Sequence, residues 1–154
     1  MKKSIFFFSI LLFLNFGAAI AQNNSNKYDS WVTQYPENII TPFTNDELAK
    51  LEEVYGDELK NKILDRPVRI KDIKDIFRNR VYVYQENNKD LSKIQLLSEV
   101  PVFDIYNDKS VRPTFNGNNF NPLLYNFNFF SKTRQIYRVD NTNYLIIIKP
   151  RLLQ

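Results

Sequence analysis

The stretch NPLLYNFNFFSKTRQIYRVDNTNYLIIIKP, residues 121–150, decides how this chain folds. Leu123, Tyr125, Phe127 and Phe129 occupy every second position, with Asn126 and Asn128 between them. Side chains of a strand alternate between its two faces, so the spacing predicts a strand with one apolar and one mostly polar face. Tyr137 and Val139 repeat the pattern with Arg138 opposite. The DNTN turn at 140–143 lets Asn143 take a left-handed conformation without glycine. Tyr144 to Ile148 is apolar on both faces, the mark of a strand covered on both sides. Phe127, Phe129, Tyr144, Ile146 and Ile148 are therefore expected in the core. The competing reading of the same residues is a carbohydrate-binding surface built from outward-facing tyrosines and asparagines.

Upstream, VYVYQ at 81–85 alternates cleanly and predicts another strand, ended by the turn-forming ENNKD. LSKIQLLSEVPVFDIYN is ambiguous, because Leu91, Ile94 and Leu97 fit a helical period while Ile94 and Leu96 fit a strand. Residues 107–122 are rich in Asn, Asp and Pro and predict a long loop, the kind of segment that borders a site.

Two helices precede the strands. Thr44 and Glu47 form a capping box, and Phe43 and Leu48 flank it as a hydrophobic staple, which starts a helix at Asn45. Leu48, Leu51, Tyr55, Leu59 and Ile63 continue one apolar stripe, so a single helix is expected to run through Gly56, bent there at most. A second helix is predicted from Pro67 to about Asn79, with Ile70, Ile73 and Phe77 on its buried side. Helices and strands are segregated along the chain, which gives an α+β class: two N-terminal helices packed on a mostly antiparallel sheet of about four strands, ending in a C-terminal β-meander.

Three segments organise the chain. Lys2 and Lys3, the apolar run from Ile5 to Phe16 and the Ala19-Ile20-Ala21 pattern predict a secretory signal peptide over 1–21, too short to span a bilayer, with cleavage before Gln22. Residues 22–43 are expected to be an extended arm, pinned by Trp31, and 44–154 a single α+β domain. Export, to the periplasm or outside the cell, follows from the signal. No transmembrane span is expected after cleavage.

Composition excludes more than it suggests. The chain has no His and no Cys, which removes imidazole bases, thiolate nucleophiles and the usual zinc, haem and iron–sulfur ligands. Only Gly56 and Gly117 follow the signal, so no glycine-rich loop can cradle a phosphate. Neither cofactor nor metal nor nucleotide is expected, and nucleic acid is not an expected partner. An exported domain without disulfides must rest on apolar packing, which the 15% aromatic content supplies. Charge is uneven: residues 22–65 hold four lysines and nine acids, whereas RPVRIKDIKDIFRNR at 66–80 is strongly basic.

The candidate site residues follow from these features. Asp104 and Asp108, near Phe103, Tyr106 and Arg112, are the acids that a carboxylate-dependent hydrolase of envelope polysaccharide would use; turn-capping acids are the plainer reading. Lys71, Lys74 and Arg78 share one helix face that could hold anionic membrane or cell-wall polymer, although Asp72 and Asp75 interrupt it and a solvated face with local ion pairs is the expectation. Arg112 is the remaining binding candidate. The favoured expectation is an exported, non-catalytic bacterial envelope or secreted protein that binds a macromolecular partner, a protein or a glycan, through loop and sheet rim.

Overall fold

The fold is that of a computed structural model, which describes residues 35–87, 90–106 and 112–151. All of these belong to the compact unit spanning residues 31–154. The signal peptide, Trp31, residues 22–34 of the arm, residues 107–111 of the long loop and Asp108 lie outside the described residues.

Helix α1, Asn45–Tyr55, starts where the capping box places it. Thr44 Oγ1 accepts from the Glu47 amide at 3.2 Å and Glu47 Oε2 accepts from the Thr44 amide at 2.8 Å, satisfying two amides that a helix start leaves unpaired. The expected single helix does not continue through Gly56. That residue adopts φ 50°, ψ −130°, a region only glycine enters readily, and a short 3₁₀ turn (Gly56–Glu58) and a wide π-type turn (Lys60–Leu64) follow. The apolar stripe keeps its direction: Leu51 and Ile63 are fully buried, with Leu48, Tyr55 and Leu59 packed against them.

Helix α2, Pro67–Asp75, has proline in its first turn and widens into a π-type turn over Ile76–Arg80, so the helical run ends close to its predicted limit. Ile73 and Ile76 are its buried apolar residues.

Three strands, β1 (Val81–Gln85), β2 (Gln135–Arg138) and β3 (Tyr144–Ile148), form one antiparallel sheet in the order β1-β3-β2. The register pairs Val81 with Ile148 and Gln85 with Tyr144 on one side, and Gln135 with Ile148 on the other. β3 is central, paired along both edges, and along it Leu145, Ile146 and Ile148 are buried and Tyr144 and Ile147 half-buried. The fold is thus α+β as expected, but the sheet is not a meander, because β1 joins the far edge of the β2–β3 hairpin. In that hairpin Asn141, not Asn143, takes the left-handed conformation, at φ 54°.

Among the described residues there are three strands, not about four. The expected strand over 123–129 is absent, although its alternation survives: Tyr125 and Phe127 are buried and Phe129 is half-buried, while Asn126 and Asn128 are exposed. Pro122–Leu124 forms a 3₁₀ turn, and only one bridge, Val102 with Tyr125, holds the segment to a neighbour. Beyond it the Phe127 amide bonds to the Tyr125 carbonyl at 2.9 Å and the Phe129 amide to the Phe127 carbonyl at 3.0 Å. Successive three-residue turns satisfy the backbone internally, so no ladder is needed, yet they still send alternate side chains to opposite sides. The ambiguous 91–107 stretch likewise resolves into short pieces, a parallel bridge of Leu96 to Arg138 and a 3₁₀ turn at Leu97–Glu99.

The core lies between helices and sheet. Leu51, Ile63, Ile146 and Ile148 are its fully buried centre, and Phe120, Tyr125, Phe127 and Tyr137 extend it as a chain of ring contacts with centroids 5.0–5.5 Å apart. Of the five expected core residues, Phe127, Ile146 and Ile148 are in this cluster, and Phe129 and Tyr144 are partly buried against it.

Candidate functional site: an aromatic cavity lined by arginines

Residues 35–43 lie along α2, held by the basic residues that the sequence places on one helix face. Lys74 is buried and donates to the carbonyls of Ile39 (3.3 Å) and Thr41 (2.6 Å), with its ammonium 5.0 Å from the Phe43 ring centre. Burial pushes its ammonium pKa down, and neighbouring Arg78 adds to that. Arg78 grips both carboxylate oxygens of Glu47 at 2.6 Å, and also donates to the carbonyls of Asn38 (2.5 Å) and Pro42 (2.8 Å) and to Thr41 Oγ1 (2.8 Å). Burial pushes the Glu47 carboxyl up, but the bonds from Arg78 and Thr44 outweigh it and hold the group below its ordinary value. Only Lys71 of the three is exposed, so the expected solvated face is instead an internal clamp. The physical reason is the arm itself: its irregular backbone offers carbonyls that need donors, and the long basic side chains of α2 reach them.

The other sequence candidates are placed separately. Arg112 donates to the carbonyls of Leu97 (3.1 Å), Ser98 (2.9 Å) and Val100 (2.8 Å) and so fastens the 97–100 turn. Asp104 is exposed. The described part of the long loop, 112–122, borders other hollows, two of them beside β1 and one beside Phe115, Phe120 and Tyr125. Its asparagines act locally: Asn116 and Asn121 cap the 3₁₀ turns that follow them, and Asn121 also donates to the Lys50 carbonyl and to Glu53, both at 2.9 Å.

A largely aromatic cavity of about 160 Å³ lies between α2, the end of α1 and the 123–130 segment. Ile73 and Ile76 form one wall, and Tyr55, Phe103, Tyr125, Phe127, Phe129 and Phe130 supply rings around it. Phe130 is 71% exposed, an unusual position for a phenylalanine, at the rim of a concave surface. Burial raises the Tyr55 phenol pKa, with the positive charge of Arg69 opposing it.

Four charged side chains share the lining: Arg69, Asp72, Arg80 and Arg151. Asp72 accepts from the Tyr35 hydroxyl and from Arg151, both at 2.5 Å, and Arg151 donates to the same hydroxyl at 2.5 Å. Burial and the Asp72 bond push the Tyr35 phenol up to about 12. Arg80 is buried, donates to the carbonyls of Lys149 (3.1 Å) and Phe129, and lies 3.9 Å from Asp75. Arg69 is exposed at the mouth and makes no ion pair or hydrogen bond to another described residue.

Such an arrangement can hold an apolar group against rings while arginines face whatever polar group accompanies it. For acid–base chemistry it offers little, since its one carboxylate is already paired with a guanidinium and a phenol. The carboxyls with displaced pKa values, Glu47, Asp90 and Asp140, are all held low, whereas a general acid at neutral pH needs a raised one. Among the described residues no three acids converge to hold a metal ion, and no helix is long and apolar enough to cross a membrane.

Sequence reasoning missed this cavity. The available signal was the spacing of Arg69, Asp72, Ile73, Ile76 and Arg80, which repeats every three or four residues and so lies along one side of the helical run. Nothing in the sequence joins that side to Tyr55, Phe103 or Arg151. The chain matches no protein-family model, no curated protein and no solved structure, so the geometry of the cavity carries the functional reading.

Proposed function

We propose that this is an exported, non-catalytic binding protein of the bacterial envelope or its surroundings, which takes an apolar side chain of a protein partner into the aromatic cavity. The observation that carries the reading is a concave surface walled by six aromatic rings, one of them largely exposed, with arginines at its polar positions. Apolar clefts with a few convergent polar groups are the usual form of a binding site. The lysine and arginine of the α2 clamp are engaged by the arm, which lowers the weight of a polyanion-binding helix. Asp104 stands exposed, which gives a polysaccharide hydrolase little to build on.

The test is an NMR titration of the full chain with N-acetyl-phenylalaninamide, a neutral mimic of one aromatic residue. Saturable shifts confined to the Ile73, Ile76 and Phe130 signals support the reading. Ile73→Trp, which fills the space, then abolishes them. If the probe moves no cavity signal at millimolar concentration, the cavity is not a binding site.

A further inference from the structure

We infer that the apolar group taken by the cavity is accompanied by a carboxylate, so that the partner presents an aromatic residue beside an acidic group. The inference rests on the binding reading above and narrows its ligand. Among the described residues three guanidiniums and one carboxylate line the cavity, which leaves its lining positively charged. Arg80 is directed into the protein, with Asp75 and two carbonyls as its partners. The other two differ. Arg151 is committed to Asp72 and Tyr35 through Nη2, and its Nε, without a partner among the described residues, is itself buried away from a guest. Arg69 stands at the mouth with all its donors unused among the described residues.

A neutral guest leaves this pattern unfavourable. It would take water from the Arg69 donors at the mouth without giving them an acceptor, and a donor dried without a partner carries a desolvation cost. An amine would meet like charge. A carboxylate supplies acceptors for the unused Arg69 guanidinium, and planar guanidinium matches planar carboxylate with two parallel bonds. Size places the two parts of the ligand. The cavity of about 160 Å³ resembles in volume the roughly 150 Å³ apolar space known to admit a benzene ring, so one ring fills it and the carboxylate is left at the mouth, where Arg69 stands. A protein offers that pair in two ways, at a C-terminal aromatic residue and at an acidic residue next to an internal one.

The experiment compares three probes on the full chain by the same NMR titration: N-acetyl-phenylalaninamide, N-acetyl-phenylalanine and N-acetyl-aspartyl-phenylalaninamide. At least one of the two anions is expected to bind about ten-fold more tightly than the neutral amide, the effect of a charge-assisted bond on an affinity. The anion that binds better identifies the chain end or the acidic side chain as the source of the carboxylate. Arg69→Gln should remove most of that preference, read as the ratio of charged-probe to neutral-probe affinity, whereas Lys71→Gln, exposed and outside the lining, should leave the ratio within about two-fold of wild type. Equal affinities for charged and neutral probes overturn the inference and leave the cavity standing as a binding site. Failure of all three probes, the neutral one included, overturns both.

Discussion

Replacing Arg78 with Gln should destabilise the fold by about 3 kcal/mol, although the sequence alone places this residue on a solvated helix face. The magnitude follows from its surroundings. The side chains of Arg78 and Glu47 are each only 13% exposed, and the pair makes two bonds of 2.6 Å. Removing one partner of a buried pair costs about 3–5 kcal/mol, chiefly through the charge left behind, and partial exposure places this case at the lower end. The carbonyls of Asn38 and Pro42 lose a donor as well, which turns water toward the arm. Urea denaturation of the full chain measures the loss, with exposed Lys71→Gln as the control expected within about 0.5 kcal/mol of wild type. Glu47→Gln and the double variant complete a cycle whose coupling energy should be about 1.5–3 kcal/mol. Acidity gives a second readout. The Glu47 carboxyl is held below its ordinary 4.5 in the folded state, so its contribution is fully present above pH 4.5 and is lost as the pH falls through the folded value. Glu47→Gln should therefore flatten part of the stability loss in that acid window. An Arg78→Gln protein that melts within about 0.5 kcal/mol of wild type would refute the clamp and return the basic face to solvent.

Gly56→Ala should lower stability by about 1–3 kcal/mol, because φ 50°, ψ −130° is strained for any residue with a Cβ; a mid-helix glycine would instead gain about 1 kcal/mol, so the sign of the change in a denaturant melt decides between the two. Phe127→Ala should cost about 3–5 kcal/mol and Asn126→Ser less than about 0.5 kcal/mol, and equal melting midpoints would mean the rings of this segment are not core. Protein recovered from its native host should begin at Gln22 by intact mass, and a cytoplasmic chain that retains Met1 would remove the expectation of export.

The parts of the fold that were legible are those set by local rules. Thr44 and Glu47 fix a helix start within four residues, Pro67 marks a first turn, and five apolar residues in a row at 144–148 announce a central strand. The alternation at 123–129 reports burial correctly but not hydrogen bonding, since side chains alternate in chained three-residue turns as they do in a strand. Gly56 was misread because stripe phase survives a helix break when the following turns happen to restore direction. The clamp and the cavity were invisible for a different reason. Lys74 reaches Thr41 and Arg151 reaches Asp72 across 33 and 79 positions, and helical spacing says nothing about what a distant segment brings to a side chain.

The order β1-β3-β2 has a consequence for how the chain can acquire its structure. Val81 has no ladder partner until Ile148 exists, 67 positions later, while β2 and β3 are separated by one short turn. Synthesis must reach β3, which begins at Tyr144, before any part of the sheet forms, and until then β1 presents two unsatisfied edges. Closing that long loop makes the β1–β3 docking a slow step compared with the hairpin and the helices, which are local and quick. A nascent chain halted before residue 144 should hold helix-like segments and a collapsed aromatic strip but no sheet, and in that window it is most exposed to aggregation or to capture by a holding chaperone.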